Sequence, residues 1–282
     1  MQREMRTRIG AAPTELNGEV LTPEDRYLIT NNSFLLWTYC GLKIFYQMGE
    51  GITIDRQSAS TTENERLYLN GSTYAGVASI NGLYPIHASA VSIDGRVHAF
   101  SAPSGAGKST LAAGLGKHGL THFCDDMLVL DLRDKSRVMC LPGHKQLKLL
   151  PDALELTGAR AIGKVADGMD KYYAEPVGGL ETGMLPLAEL CFLEIGEPAH
   201  FEDVHPAERL VLLDDNHYTA EVYRYARQPS LDQRFKQLAR LANSVKISRF
   251  FRSRDAARFD SEASIAAGHV RSYKCGGNKR PA

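Results

Sequence analysis

The sequence is short of the features that mark several large protein classes. It has no C-x-x-C pair: Cys40, Cys124, Cys140, Cys191 and Cys275 are odd in number and scattered. Such a set reads as reduced, mostly buried thiols in a cytoplasmic protein rather than a disulfide framework. Long hydrophobic runs are missing too. The greasiest stretch, Ser33 to Met48, contains Lys43, and no apolar segment follows Arg3, Arg6 and Arg8, so neither a membrane span nor a secretory signal is expected. Charge of one sign is absent, with 33 Lys+Arg balancing 33 Asp+Glu, which argues against a dedicated nucleic-acid binder. There is no fixed-period repeat and no low-complexity linker. No H-E-x-x-H, nucleophile elbow or zinc-ligand spacing occurs, which removes the common hydrolase chemistries.

What remains is an ordinary globular composition, 43% hydrophobic and 23% charged over 282 residues, long enough to bury a sizeable core. Residues 20–80 favour short strands, among them Phe34–Trp37, Leu42–Tyr46 and Leu67–Leu69, with turn signals at Gly49-Glu50-Gly51 and Asn70-Gly71. A small β-rich N-terminal lobe over 1–80 is the expectation. From Asn81 the pattern changes to alternating strands and helices, which predicts α/β packing over 81–270. Ala88–Ile93 and Val97–Phe100 read as a hairpin closed by Asp94-Gly95, Ser109–His118 as a helix ended by Gly119, and Phe123–Leu132 as a strand. Pro142-Gly143 breaks the stretch Val138–Leu149, and Pro151 starts a short helix. Leu190–Leu193 reads as a short strand. Ser230 caps an amphipathic helix to Asn243 with Phe235, Leu238 and Leu241 on one face, and Asp255–Ala267 is the last helix before a loose basic tail over 271–282.

Residues 102–109, Ala-Pro-Ser-Gly-Ala-Gly-Lys-Ser, lie between a predicted strand and a predicted helix and satisfy the phosphate-loop pattern at Gly107-Lys108-Ser109. In such a loop, the backbone of Ser104, Gly105, Ala106 and Gly107 curls so that successive N–H groups face phosphate oxygens, and the following helix adds its N-terminal dipole. Lys108 can bridge the terminal phosphates of ATP, the Ser109 hydroxyl can ligate Mg²⁺, and Thr110 follows them. Phosphoryl transfer also needs a carboxylate to hold the metal or take the acceptor's proton. Asp125 and Asp126 supply one on the next strand, 17 and 18 residues past Lys108, where strand alternation lets only one face the phosphate directly. His87, 21 residues before Lys108, has both a structural and a functional reading. Residues 246–282 hold nine Lys+Arg against three Asp+Glu, and Lys246, Arg249 and Arg252 read equally as a grip for phosphate or acidic peptide and as a solvated face.

Three segments in order carry a resemblance: His87-Ala88-Ser89-Ala90-Val91 before Asp94-Gly95, then Ser104-Gly105-Ala106-Gly107-Lys108-Ser109, then Cys124-Asp125-Asp126. Together they resemble the catalytic domain of HPr kinase/phosphorylase over about residues 80–270. The E-I-R-G-L-G-type signature of that family is absent, and Leu141-Pro142-Gly143-His144 through Lys148 to Leu154 looks like the shorter kinases found beside peptide-tailoring enzymes, some of them similar to lasso-peptide kinases. The resemblance implies a P-loop α/β fold and an ATP- and Mg²⁺-dependent kinase acting on a serine of a peptide or small protein, such as the C-terminal serine of a precursor peptide. It implies base or acid work at Asp125 or Asp126, metal ligation by Ser109 and Asp126, His87 near the phosphate, and a homo-oligomer. Phosphorylation of HPr, a small-molecule kinase or ATPase, and a non-catalytic nucleotide sensor are the other readings.

Overall fold

The computed structural model describes residues 1–22, 26–56, 61–134, 136–215 and 231–273. The N-terminal strands are β1 (Thr7–Ile9), a two-residue ribbon β2 (Glu15–Leu16) and β3 (Glu19–Val20), then β4 (Tyr27–Ile29), β5 (Ser33–Trp37), β6 (Lys43–Gln47) and β7 (Gly51–Asp55). They form a five-stranded sheet in the order β1-β7-β6-β5-β4, antiparallel except where β1 runs parallel to β7. Alternation in β6 sends Ile44 and Tyr46 into the core beneath this sheet, where they meet Phe34, Ile52 and Ile54.

The strand expected over Leu67–Leu69 is helical instead. α1 (Thr62–Tyr68) is capped by Thr61, whose hydroxyl accepts from Asn64 N, and Glu63 and Glu65 suit the positive end of its dipole. Asn70-Gly71 falls in a wide helical turn over Leu69–Thr73 that feeds α2 (Tyr74–Ile80). Small residues let α2 sit between two layers: Val77 and Ile80 pack on the five-stranded sheet, while Ala75 and Ala78 pack on Met127, Val129 and Leu141. Local apolar and aromatic content gave the strand signal; burial of α2 on both sides decided the helix.

The main sheet contains β8 (Tyr84–Ile86), β9 (Ala88–Ile93), β10 (Arg96–Ser101), β11 (Thr121–Cys124), β12 (Leu128–Asp131), β13 (Met139–Leu141), β17 (Leu185–Ile195), β18 (His200–Asp203) and β19 (Lys246–Arg252). A separate three-stranded sheet is built from β14 (Leu147–Leu149), β15 (Ala161–Lys164) and β16 (Tyr172–Ala174). The helices are α3 (Lys108–Lys117), α4 (Pro151–Thr157), α5 (Pro206–Asp215), α6 (Leu231–Ser244) and α7 (Phe259–Ser272). At the β9–β10 hairpin, Asp94 (φ 50°) and Gly95 (φ 69°) both take left-handed dihedrals, as a two-residue turn of matching twist requires. β10, β17 and β19 run parallel, the arrangement that needs crossover helices.

Period-two alternation splits the sheet's side chains between two cores. Val97, Ala99, Leu190, Phe192 and Ile247 face α5 and α6, while Val91, Phe100, Cys191 and Phe250 face α3 and α7. The result is a three-layer helix–sheet–helix arrangement, and the expected mixed α/β architecture holds. Two strands differ from expectation. β17 extends seven residues beyond the short strand read at Leu190–Leu193, because it is the central partner of β10, β13 and β19. Phe123–Leu132 is not continuous, since Asp126 adopts φ 68° and breaks it into β11 and β12. Leu238 and Leu241 are buried as expected, but Phe235 is 58% exposed. Arg271 and Ser272 still belong to α7; Ser230 and residues 274–282, which include the expected cap and most of the tail, lie outside the described residues. No helix among the described residues is long and apolar enough to cross a membrane.

Gly76 permits the close approach of α2 to the small sheet, since a Cβ there would stand 2.9 Å from the Phe34 ring. Gly76→Val should therefore cost about 1–3 kcal/mol by overpacking. Thermal melts should show a fall of several degrees in Tm; an unchanged Tm counts against this packing.

Candidate functional site

The strand-to-helix junction β10–α3 brings the motif residues to the carboxyl end of the parallel strands, the usual place for ligands in such sheets. Gly105 (φ 81°) and Gly107 (φ 83°) take the left-handed dihedrals that curl the loop. At Gly107 a Cβ would also displace the Arg252 guanidinium from its place against the loop. Lys108 is 5% exposed and its ammonium donates to the carbonyls of Ala102 (2.8 Å) and Pro103 (3.1 Å). Burial pulls its pKa down to about 8 against the opposing pull of Asp125 and Asp126.

Opposite the loop, the two aspartates have different fates. Asp125 is 1% exposed and fully engaged. Its Oδ1 accepts from Ser89 Oγ (2.5 Å) and Ser109 Oγ (2.8 Å), and its Oδ2 accepts from the Lys148 backbone N–H (2.8 Å). Asp126, turned to the other side by its left-handed backbone, keeps a quarter of its side chain exposed. Its Oδ2 pairs with Lys148 Nζ at 2.6 Å, and its Oδ1 lies 3.5 Å from His87 Nε2. Burial by itself would raise this carboxyl, but the His87 contact and the Lys148 ammonium outweigh it and hold Asp126 well below the usual carboxylate range. His87 is placed by its own carbonyl, which accepts from Ser101 Oγ at the end of β10.

The structure thus brings Lys108, Ser109, Asp125, Asp126 and His87 into one place. The expected metal pair Ser109–Asp126 is not the bonded one: Ser109 is tied to Asp125. A hydroxyl and a carboxylate side by side are hard oxygen donors that fit Mg²⁺, and no cluster of three or more metal-ligating side chains exists among the described residues, so an ion here would need phosphate oxygens to complete its shell. Beside the loop lies a cavity of about 570 Å³, bordered by Gly107, Thr110, Leu156, Arg252, Arg254 and Phe259, a size that suits a nucleoside.

Lys246, Arg249 and Arg252, which read equally as a grip and as a solvated face, do not share one place. Arg252 reaches the loop and donates to the Ala106 carbonyl at 2.7 Å. Arg249 pairs with Glu208 at 2.8 Å, and Lys246, at the far end of β19, lies 3.6 Å from Glu189 and 3.3 Å from Asp203. Alternation and strand length separate the three. Glu189 itself is buried among Ser248, His269 and His98; burial would raise its carboxyl, but the two imidazoles outweigh that and hold it low.

Several site residues went unread in the sequence. Lys148 stands between Leu147 and Leu149 in a three-residue buried strand, and a lone cation inside an apolar alternation was the available signal. Ser89 carries no local signature of its bond to Asp125. His144, whose backbone carbonyl accepts from Asp125 N, had no local signature.

No family model matches the chain, and no curated protein matches it. Among solved structures, the chain is similar to the HPr(Ser) kinase/phosphatase from Coxiella burnetii, at 12% identity and a TM-score of 0.33, covering 66% of this chain and 95% of that one.

Because Asp126 is more acidic folded than unfolded, its contribution is complete above the unfolded value of about 3.9 and is lost as pH falls below it. Asp126→Asn should flatten the acid limb of the stability curve below about pH 4. At neutral pH it should cost up to about 3 kcal/mol, because Lys148 is left buried without its partner. Urea titrations at pH 3 to 7 test this; parallel curves for the two proteins would refute the pairing. Asp126→Asn/Lys148→Met should recover part of the loss.

Proposed function

We propose that residues 81–270 form a P-loop kinase that uses Mg²⁺ and ATP to phosphorylate a serine hydroxyl of a peptide or small protein. The observation that carries this reading is the Ser109–Asp125 hydrogen bond at 2.8 Å beneath a loop of left-handed glycines, with a second carboxylate, Asp126, partly open to solvent alongside. The order of motifs, which resembles that of HPr kinase/phosphorylase, supports the same reading. Its shorter relatives beside peptide-tailoring enzymes favour the C-terminal serine of a precursor peptide as acceptor.

Each residue type has a task. The loop N–H groups, Lys108 and Arg252 would receive the triphosphate, and Ser109 with Asp125 would hold Mg²⁺, which when bound neutralises charge on the phosphates. Asp125 has no oxygen to spare for an acceptor, since both are committed to Ser89, Ser109 and the Lys148 amide. Asp126 has the exposure Asp125 lacks. The acceptor oxygen forms its bond to the γ-phosphorus as the bond to the ADP oxygen breaks, and the hydroxyl proton passes to Asp126. A strongly acidic carboxylate suits a loose transition state, in which the proton leaves late. His87 and Lys148 orient Asp126 from two sides.

Lys108→Ala should abolish transfer, and Asp126→Asn should lower kcat about 10²–10⁴-fold while leaving ATP affinity nearly intact. The Lys108 ammonium, with its pKa near 8, supplies an independent check. A bound polyphosphate favours the charged form, so ATP binding should take up a proton above pH 8 and weaken as pH rises further. Calorimetry in buffers of different ionisation enthalpy reads the uptake, which should vanish in Lys108→Met. A Kd that is flat from pH 7 to 9.5 in the wild type would remove Lys108 from the phosphate site.

A further inference from the structure

α1 approaches the proposed acceptor side of the site. Arg66, in its last turn, places its guanidinium carbon 4.4 Å from the centre of the Tyr173 ring. Tyr173 is the middle residue of β16, directly opposite Lys148 on β14 and Gly163 on β15. Lys148 in turn holds Asp126. Arg66, Tyr173, Lys148 and Asp126 therefore form one connected series from the N-terminal helix to the proposed base.

The polar groups along this series are not balanced. Tyr173 is only 2% exposed, yet its hydroxyl has no hydrogen-bond partner among the described residues. Arg66 pairs with no carboxylate among the described residues, and its neighbour Glu65 is taken by Arg56. His144, whose ring lies 5.6 Å from that of Tyr173, is neutral or cationic in either protonation state and so cannot offset the guanidinium. Asp125 and Asp126 are committed to the partners already described. An unpaired guanidinium stacked on a buried aromatic keeps its forked donors free for a planar anion, and a buried phenol without a partner is costly unless something completes it.

We propose that Arg66 and the Tyr173 hydroxyl form a carboxylate-binding subsite that selects acceptors carrying a carboxylate close to the hydroxyl to be phosphorylated. Adjacent strands lie about 4.8 Å apart, and the Lys148 side chain spans the rest, so the carboxylate belongs within about two residues of the acceptor hydroxyl. A chain terminus, an acidic side chain and a free hydroxy acid share this chemistry. The proposal rests on the kinase reading, but it concerns which acceptor is taken rather than whether ATP is used.

The test compares four acceptors with labelled ATP: a peptide ending in serine with a free carboxylate, its C-terminal amide, an amidated peptide with Asp directly after the serine, and free L-serine. At least one carboxylate-bearing acceptor should exceed the amide tenfold or more in kcat/KM, mainly through KM, and the best of the three identifies the source of the carboxylate. Arg66→Ala should erase the preference and Arg66→Lys restore part of it, with Tyr173→Phe giving a smaller loss. Circular dichroism and unchanged ATP affinity by calorimetry serve as folding controls for these variants. A wild type that phosphorylates the amide as well as the acids, or a preference that survives Arg66→Ala, overturns the subsite while leaving the kinase reading intact. ATP bound with no acceptor phosphorylated, or ATP not bound at all, overturns both.

Discussion

The buried carboxylate of Asp125 is the interaction on which the site depends. Four pieces of chain meet at it: Ser89 from β9, Ser109 from α3, the Lys148 amide from β14 and, through its own N–H, the His144 carbonyl. A carboxyl group at 1% exposure would be costly without partners, and here three donors converge on its two oxygens. The same bonds that make its burial tolerable lock the first turn of α3 against β11. Loop and carboxylates are thereby held in register by the chain's own bonds, which is what preorganisation requires.

Asp126 completes the arrangement by departing from strand geometry. In a continuous strand, neighbouring side chains alternate faces, and one aspartate would point away from the loop. The left-handed residue breaks the strand and swings Asp126 toward His87 and Lys148 instead. Such a conformation costs roughly a kilocalorie or more in a non-glycine residue and persists only where its surroundings hold it. The Lys148 ion pair, on a neighbouring but separate sheet, is part of that hold. The main sheet has a second buried carboxylate, Glu189 on β17, satisfied by Ser248, His98 and His269.

Local chemistry made part of this architecture readable. The β9–β10 hairpin followed from Asp94-Gly95, α3 from the glycine loop and Gly119, and α4 from Pro151, because each depends on dihedral preferences carried by one or two residues. The readings that failed needed information from far away in the chain. Leu67–Leu69 has the composition of a strand, yet α1 and α2 form a helical layer between two sheets. For Lys246, Arg249 and Arg252, where a grip and a solvated face are equally open in sequence, the same distance matters: they are spaced along one strand and find three different environments, with Arg252 at the loop.

By itself, the sequence determined the phosphate-type loop, the tandem aspartates that follow it and the alternation of strands and helices, since these rest on spacing and on the conformational freedom of glycine. Only the tertiary structure decided which aspartate is sealed and which stays open, that Lys148 and His87 flank the open one, and that Arg66 from the N-terminal region stacks on Tyr173 beside them. Those outcomes depend on burial and on contacts between residues up to about a hundred positions apart, and an ion pair or a stacked ring leaves no mark in local sequence until the sheets assemble.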